Sequence, residues 1–153
     1  YSGTFVRTIT PTELEDIFQC RAVIESYSIR QAVRHATVQQ LQYMKSLVED
    51  MKSCTNIKEL TAMDKLFHEA IMDAADNLAM KRIWSSVRMS EWTYFSVAST
   101  SLSMEEICSE HEKIYEYINS RDEEGASAFM FLHIKHFGNE LVRLYLRKEA
   151  SLY

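Results

Sequence analysis

The chain has 153 residues, 46% of them hydrophobic and 25% charged, which is enough apolar material for one globular domain and too little length for two. A formal net charge of −5, with 17 Lys and Arg scattered along the chain, argues against this stretch as a nucleic-acid-binding surface, which needs clustered basic residues. Cys20, Cys54 and Cys108 stand far apart with no CxxC pair, which argues against a disulfide framework or a zinc ribbon and leaves them as reduced packing residues.

The opening YSGTFVRTITP is rich in Thr and β-branched residues and reads as an extended piece; it starts on Tyr, so the chain is expected to begin mid-protein. Only three Gly and one Pro occur, and the Pro stands at position 11, so from Thr12 onward nothing forces a helix to break. An all-α fold is expected. No run approaches 18 uncharged apolar residues and no basic-then-apolar segment opens the chain, so the expectation is a soluble, cytoplasmic protein with no membrane partner.

Helix starts are signalled by a capping Ser, Thr or Asn with Glu or Gln three residues on. Four such pairs occur: Thr12 with Glu15, Thr37 with Gln40, Asn56 with Glu59, and Ser103 with Glu106. With Asn77 and Asp122 as further caps, they predict helices near 12–36, 38–53, 57–75, 78–98, 104–120 and 123–149. Apolar residues then recur at helical spacing. The second helix carries Leu41, Met44, Leu47, Val48 and Met51 on one face. The third carries Leu60, Met63, Phe67, Ile71 and Ala74, with Asp64 inside that stripe and His68 on its edge. His111 falls among Ile107, Ile114, Tyr115 and Ile118 on the fifth, and His133 among Ala126, Phe129, Met130, Phe137, Leu141 and Leu144 on the sixth.

Four polar residues thus occupy positions where apolar contacts belong. Burying each without a partner would cost on the order of 1–3 kcal/mol. Either they are core groups satisfied by carbonyls, water and one another, or they surround a cation. Neutral imidazole nitrogens with one carboxylate oxygen form a mixed shell suited to zinc, nickel, manganese or iron. Asp64 and His68, at i and i+4, would chelate from one helix, with His111 and His133 arriving from others. His136, at the edge of its stripe, is a substitute ligand or a solvated group, and His35 suits the C-terminal end of the first helix dipole.

These residues also carry a resemblance. DKLFHEAIMDAADN, residues 64–77, resembles the D-x-x-F-H-x-x-I-x-x-A-S-x-N signature of the FCD effector-binding domain of FadR-type GntR transcriptional regulators. It departs at Ala75 and Asp76, where Ser and Gly are common, and no ligand position is touched. EHEKIYEYINSRDEEGASAFMFLHI, residues 110–134, is similar to the second signature, E-H-x-x-I-x-x-A-I followed by D-x-x-x-A-x-x-x-M-x-x-H-I, with Tyr117 in place of the usual Ala. FQCRAVIE, residues 18–25, is similar to the opening R-x-x-I/L-E segment, so the resemblance spans about residues 12–149. SGTFV, residues 2–6, looks like the end of the wing in the winged helix-turn-helix domain that precedes this module in the family.

The resemblance implies an antiparallel bundle enclosing a ligand pocket, with a divalent metal held by Asp64, His68, His111 and His133; zinc is the first choice, nickel and manganese the alternatives. It implies a division into 1–10, the remnant of a wing and linker, and 11–153, the effector-binding domain. Six helices suit the shorter VanR-like variant better than the seven-helix FadR type. The expected partners are a small carboxylate such as an organic or sugar acid, a second copy in a homodimer, and DNA through the missing winged-helix domain only. Arg21, on the apolar stripe of the first helix, would clamp the carboxylate or pair with Glu25 at i+4; Arg88 and Trp92 are further candidates for the pocket wall. Two other classes compete: a metal-dependent hydrolase and a metal-free interaction bundle. No HExxH or ExxH occurs, and Glu69 and Glu112, directly after proposed ligands, are turned about 100° away, so no general base is evident and a non-enzymatic role is expected.

Overall fold

In the computed structural model, which describes residues 9–86 and 100–150 with side chains to residue 147, polar caps set the helix starts. Helix α1 spans Pro11–His35, α2 Val38–Ser53, α3 Ile57–Ala74, α4 Leu78–Ser86, α5 Met104–Asn119 and α6 Glu123–Ala150, with no strand among the described residues. Thr37 with Gln40 and Ser103 with Glu106 form reciprocal capping boxes as expected. Asn77 and Asp122 accept from the backbone N–H groups of Met80 and Gly125, at 3.0 and 2.9 Å. Two caps differ from expectation. The first box is Thr10 with Glu13, not Thr12 with Glu15, because Pro11 sits at the first helical position, where its missing N–H costs nothing. Asn56 caps α3, but the Glu59 carboxylate turns to the N–H and hydroxyl of Thr55. The expected helix 78–98 is met over Leu78–Ser86; its remainder lies outside the described residues.

Short connections join α1 to α4 and α5 to α6, and the helices pack as an antiparallel bundle. α1 lies along α6, and α2 packs on α3 and α5, while α3 reaches across to α1. One core runs through the bundle, built from Phe18, Ile29, Met44, Leu47, Leu60, Phe67, Ile71, Ile107, Ile114, Met130 and Phe137. The close contact of α1 and α6 depends on Gly138, where an added Cβ would stand 2.6 Å from Phe18 Cβ. The α5–α6 turn is fastened by Arg121, which takes a left-handed φ of 61° and donates to the Val33 and Ala36 carbonyls at the end of α1. Tyr117 packs against Phe129, ring centroids 5.8 Å apart, over the bare Cα of Gly125. All three cysteines are free; Cys108 is buried and Cys54 half-buried, but Cys20 is exposed, so the packing role fails for Cys20, which points away from the core on α1. None of the described helices is long and apolar enough to cross a membrane.

Candidate metal centre

The stripes of α3, α5 and α6 converge, and they bring Asp64, His68, His111 and His133 to one point in the core. All four are buried, Asp64 and His111 completely. One ligand atom from each lies within 4.8 Å of every other. Bonds of about 2.1 Å place opposite ligands about 4.2 Å apart, so small side-chain shifts would close the group on a cation. Asp64 Oδ1 is 2.6 Å from His111 Nε2 and 3.9 Å from His68 Nε2. The rings of His68 and His133 stack at 5.5 Å, and His111 stands edge-on to both, at 5.6 and 5.0 Å.

The outer edge of each ring is what orients the site. His111 Nδ1 lies 2.8 Å from the Ile107 carbonyl, which only accepts, so Nδ1 carries the proton. His68 Nδ1 is 2.5 Å from Glu25 Oε2, and His133 Nδ1 is 2.6 Å from Glu110 Oε2. Burial works against both carboxylates, yet Arg21 and His68 hold Glu25 well below the usual range, and His133 lowers Glu110, so each stays ionised and accepts. In the neutral rings all three Nε2 atoms are therefore free of protons, and those of His68 and His111 lie 3.9 and 2.6 Å from Asp64 Oδ1. Both oxygens of Asp64 and the Nε2 atoms of His68 and His111 are buried without an aligned hydrogen-bond partner. The 2.6 Å approach of His111 to Asp64 is thus a close contact of two prospective ligands lacking hydrogen-bond alignment.

The charge balance points the same way. Burial penalises the Asp64 carboxylate, but His111, then His68 and His133, pull it below its usual range. His111 is disfavoured as a cation by burial, yet Asp64 and the Ile107 carbonyl raise it. His133 is pushed down to about 4, by burial first and then by the other two imidazoles, against the pull of Glu110. The cavity asks for one centre of positive charge and rejects several. Orphaned donor atoms, an N/O ligand set and outward-facing protons together fit a divalent cation.

Other candidate residues fall differently. Arg21 is buried and pairs with Glu25, Nε to Oε1 at 2.5 Å, with its guanidinium 5.7 Å from the Phe18 ring centroid. Arg88 and Trp92 lie outside the described residues. His136 and His35 are exposed. Glu69 and Glu112 face away from the centre, toward Lys65 and Lys52 at 3.7 and 2.5 Å. A groove of about 450 Å³ between α2 and α5, lined by Met51, Cys54, Met104 and Cys108 among others, touches none of the four clustered residues. The sequence reading missed Glu25 and Glu110 as acceptors for the ligand rings. Periodicity signalled Glu25 by its place with Arg21 on the apolar stripe of α1, whereas Glu110, the first residue of the E-H-x-x-I signature, lies just outside a stripe, where a carboxylate is ordinarily solvated.

Comparison with known proteins places this geometry in context. Residues 16–136 match the family model of the FCD domain. The chain is 27% identical over 150 residues to the Nta operon transcriptional regulator of Aminobacter aminovorans, covering 92% of this chain and 69% of that protein. It is 20% identical over 134 residues to a probable D-xylose utilization operon transcriptional repressor of Paenarthrobacter nicotinovorans, covering 86% of this chain and 59% of that one. Among solved structures, a GntR-family transcriptional regulator from Pseudomonas syringae pv. tomato superposes with a TM-score of 0.80 at 14% identity, over 97% of this chain and 63% of that one. E. coli McbR/YncC superposes with a TM-score of 0.76 at 18% identity, over 92% of this chain and 69% of the other. These likenesses establish the all-α fold, and the chain spans only part of each protein it matches.

Proposed function

Because the chain belongs to the FCD domain family, we propose that it is the ligand-sensing and dimerisation domain of a bacterial transcriptional regulator, binding a small carboxylate at a divalent metal centre. The observation that carries this reading is the gathering of Asp64, His68, His111 and His133 at one buried point, with both Asp64 oxygens and the Nε2 atoms of His68 and His111 lacking hydrogen-bond partners. Asp64, His68, His111 and His133 would hold the cation, and zinc suits the N/O set first, with nickel or manganese next. Bound there, the metal would supply a Lewis-acidic anchor with a net charge near +1, since the Asp64 carboxylate offsets one of the cation's two positive charges.

The surrounding residues then orient the visitor. Ile107, Glu25 and Glu110 keep the ring protons on the outer nitrogens, so the inner ones remain ligands. Arg21, Arg88 and Trp92 are the proposed effector contacts, Arg21 from its fixed seat on Glu25. A carboxylate that prefers one arrangement of the bundle would shift the pose of winged-helix domains attached before residue 11 in a homodimer, because a ligand moves an equilibrium only by its preference between states. Residues 1–10 are proposed as the tail of the wing and its linker. Glu69 and Glu112 face lysines away from the centre, while Glu25 and Glu110 are engaged by the outer ring nitrogens, an arrangement that favours sensing over hydrolysis.

A thermal-shift screen of organic and sugar acids tests this, run with zinc, nickel or manganese and again with a chelator. An effector at 100 times its Kd should stabilise the loaded protein by about 2.7 kcal/mol and do nothing after chelation. Equal shifts with and without metal would remove the cation from the effector site.

A further inference from the structure

Glu25 is 1% exposed, yet its carboxylate accepts from three donors on three helices. Oε2 takes the His68 Nδ1 proton at 2.5 Å, and Oε1 takes Arg21 Nε at 2.5 Å and the Trp84 indole N–H at 3.1 Å. We propose that Glu25 is a positioning residue that couples loading of the metal centre to the seating of helix α4. The proposal rests on the metal reading above.

Helix α4 is described over Leu78–Ser86. Among these residues Trp84 is the one buried side chain, set with Met72, Ile24 and Met80 in a small cluster beside the main core. Leu78 and Ile83 are exposed, so among the described residues α4 is held on the bundle by that indole with its bond to Glu25, by Met80, and at the surface by the Lys81–Asp73 ion pair. His68 is the other half of the link. Its Nε2 belongs to the Asp64 cluster and its Nδ1 to Glu25, so a cation on the inner nitrogen polarises the ring and makes the outer N–H a stronger donor. A tighter hold on Oε2 fixes the carboxylate whose other oxygen carries Trp84. Arg21 neutralises Glu25 within the same unit. Linkage makes the effect reciprocal: whatever loosens Trp84 should weaken the metal.

The test uses zinc alone, with Trp92→Phe as background so that Trp84 is the only tryptophan of the chain's two. Zinc should shift Trp84 emission and saturate at about one ion per chain. Replacing Arg21→Met and Glu25→Gln together avoids leaving a buried unpaired charge; circular dichroism checks the fold. That variant should bind zinc about 10–100-fold more weakly, with emission no longer following zinc. Trp84→Phe alone should weaken zinc about fivefold or more. Nitrogen NMR in chelator should find the His68 proton on Nδ1 in the parent, and the double variant should lose that preference, a change that mere packing would not produce. Zinc bound equally well by parent and double variant, or bound without any response of Trp84, overturns the coupling and leaves the metal centre standing. No zinc in the parent itself overturns both.

Discussion

Where each imidazole keeps its proton decides what the cluster does. The Ile107 carbonyl leaves His111 no choice, and ionised Glu25 and Glu110 impose the same tautomer on His68 and His133. A bound cation would take over the balancing charge that protons supply in its absence. In the metal-free protein His133 lies at about 4, below its ordinary 6.5. Below about pH 6.5 the unfolded chain therefore binds a proton that the folded chain refuses, and stability is lost as pH falls toward 4, on the order of a few kcal/mol. His111, raised by Asp64, works in the other direction: its contribution is present below the ordinary His value and is lost as pH rises through its raised one. Subtracting the denaturation curves of a His133→Gln variant from those of the parent, both in chelator, isolates the first effect. A difference that stays flat between pH 6.5 and 4 would contradict the burial argument. Zinc affinity should also fall below about pH 6.5, as protons compete for the same nitrogens.

At the level of helices, stability is distributed between caps and one tight crossing. Ser103 begins α5, the helix that carries His111, and its hydroxyl accepts the Glu106 N–H at 3.2 Å. Ser103→Ala should cost about 1 kcal/mol in urea denaturation with zinc affinity nearly unchanged, because the cap lies two turns before the ligand. Gly138→Ala acts where α1 meets α6: the new Cβ would stand 2.6 Å from both Cβ and Cγ of Phe18, atoms too close to the α1 backbone to swing aside. About 1–3 kcal/mol of destabilisation is expected, and a neutral result would show that the helices separate more easily than their packing suggests. The cap of α1 shows how local chemistry resolves an ambiguity in sequence. Thr10 with Glu13 and Thr12 with Glu15 both fit the capping-box spacing, and the preference of Pro11 for the first helical position selects the earlier one.

For the whole molecule, the bundle was legible because Gly and Pro are nearly absent and every stripe keeps helical period. Asp64, His68, His111 and His133 were legible for the opposite reason: each breaks the stripe it lies on. What stayed hidden were contacts between stripes. Periodicity puts Glu25 on the buried side of α1, but not against His68, forty-three residues later, nor against the indole of Trp84. Periodicity gives no signal at Glu110, since a half-exposed acid on α5 looks like solvent surface until α6 brings His133 to it. Long-range placement of this kind depends on how helices cross, which single-helix patterns do not encode.

Whether this buried cluster holds one divalent cation is read by elemental analysis of the purified protein after gentle dialysis. The parent is measured beside an Asp64→Asn, His111→Gln variant whose helical content is checked by circular dichroism. About one metal ion per chain in the parent and none in the folded variant is the expected result. No metal in the parent, even after zinc, nickel or manganese is added, would contradict the account.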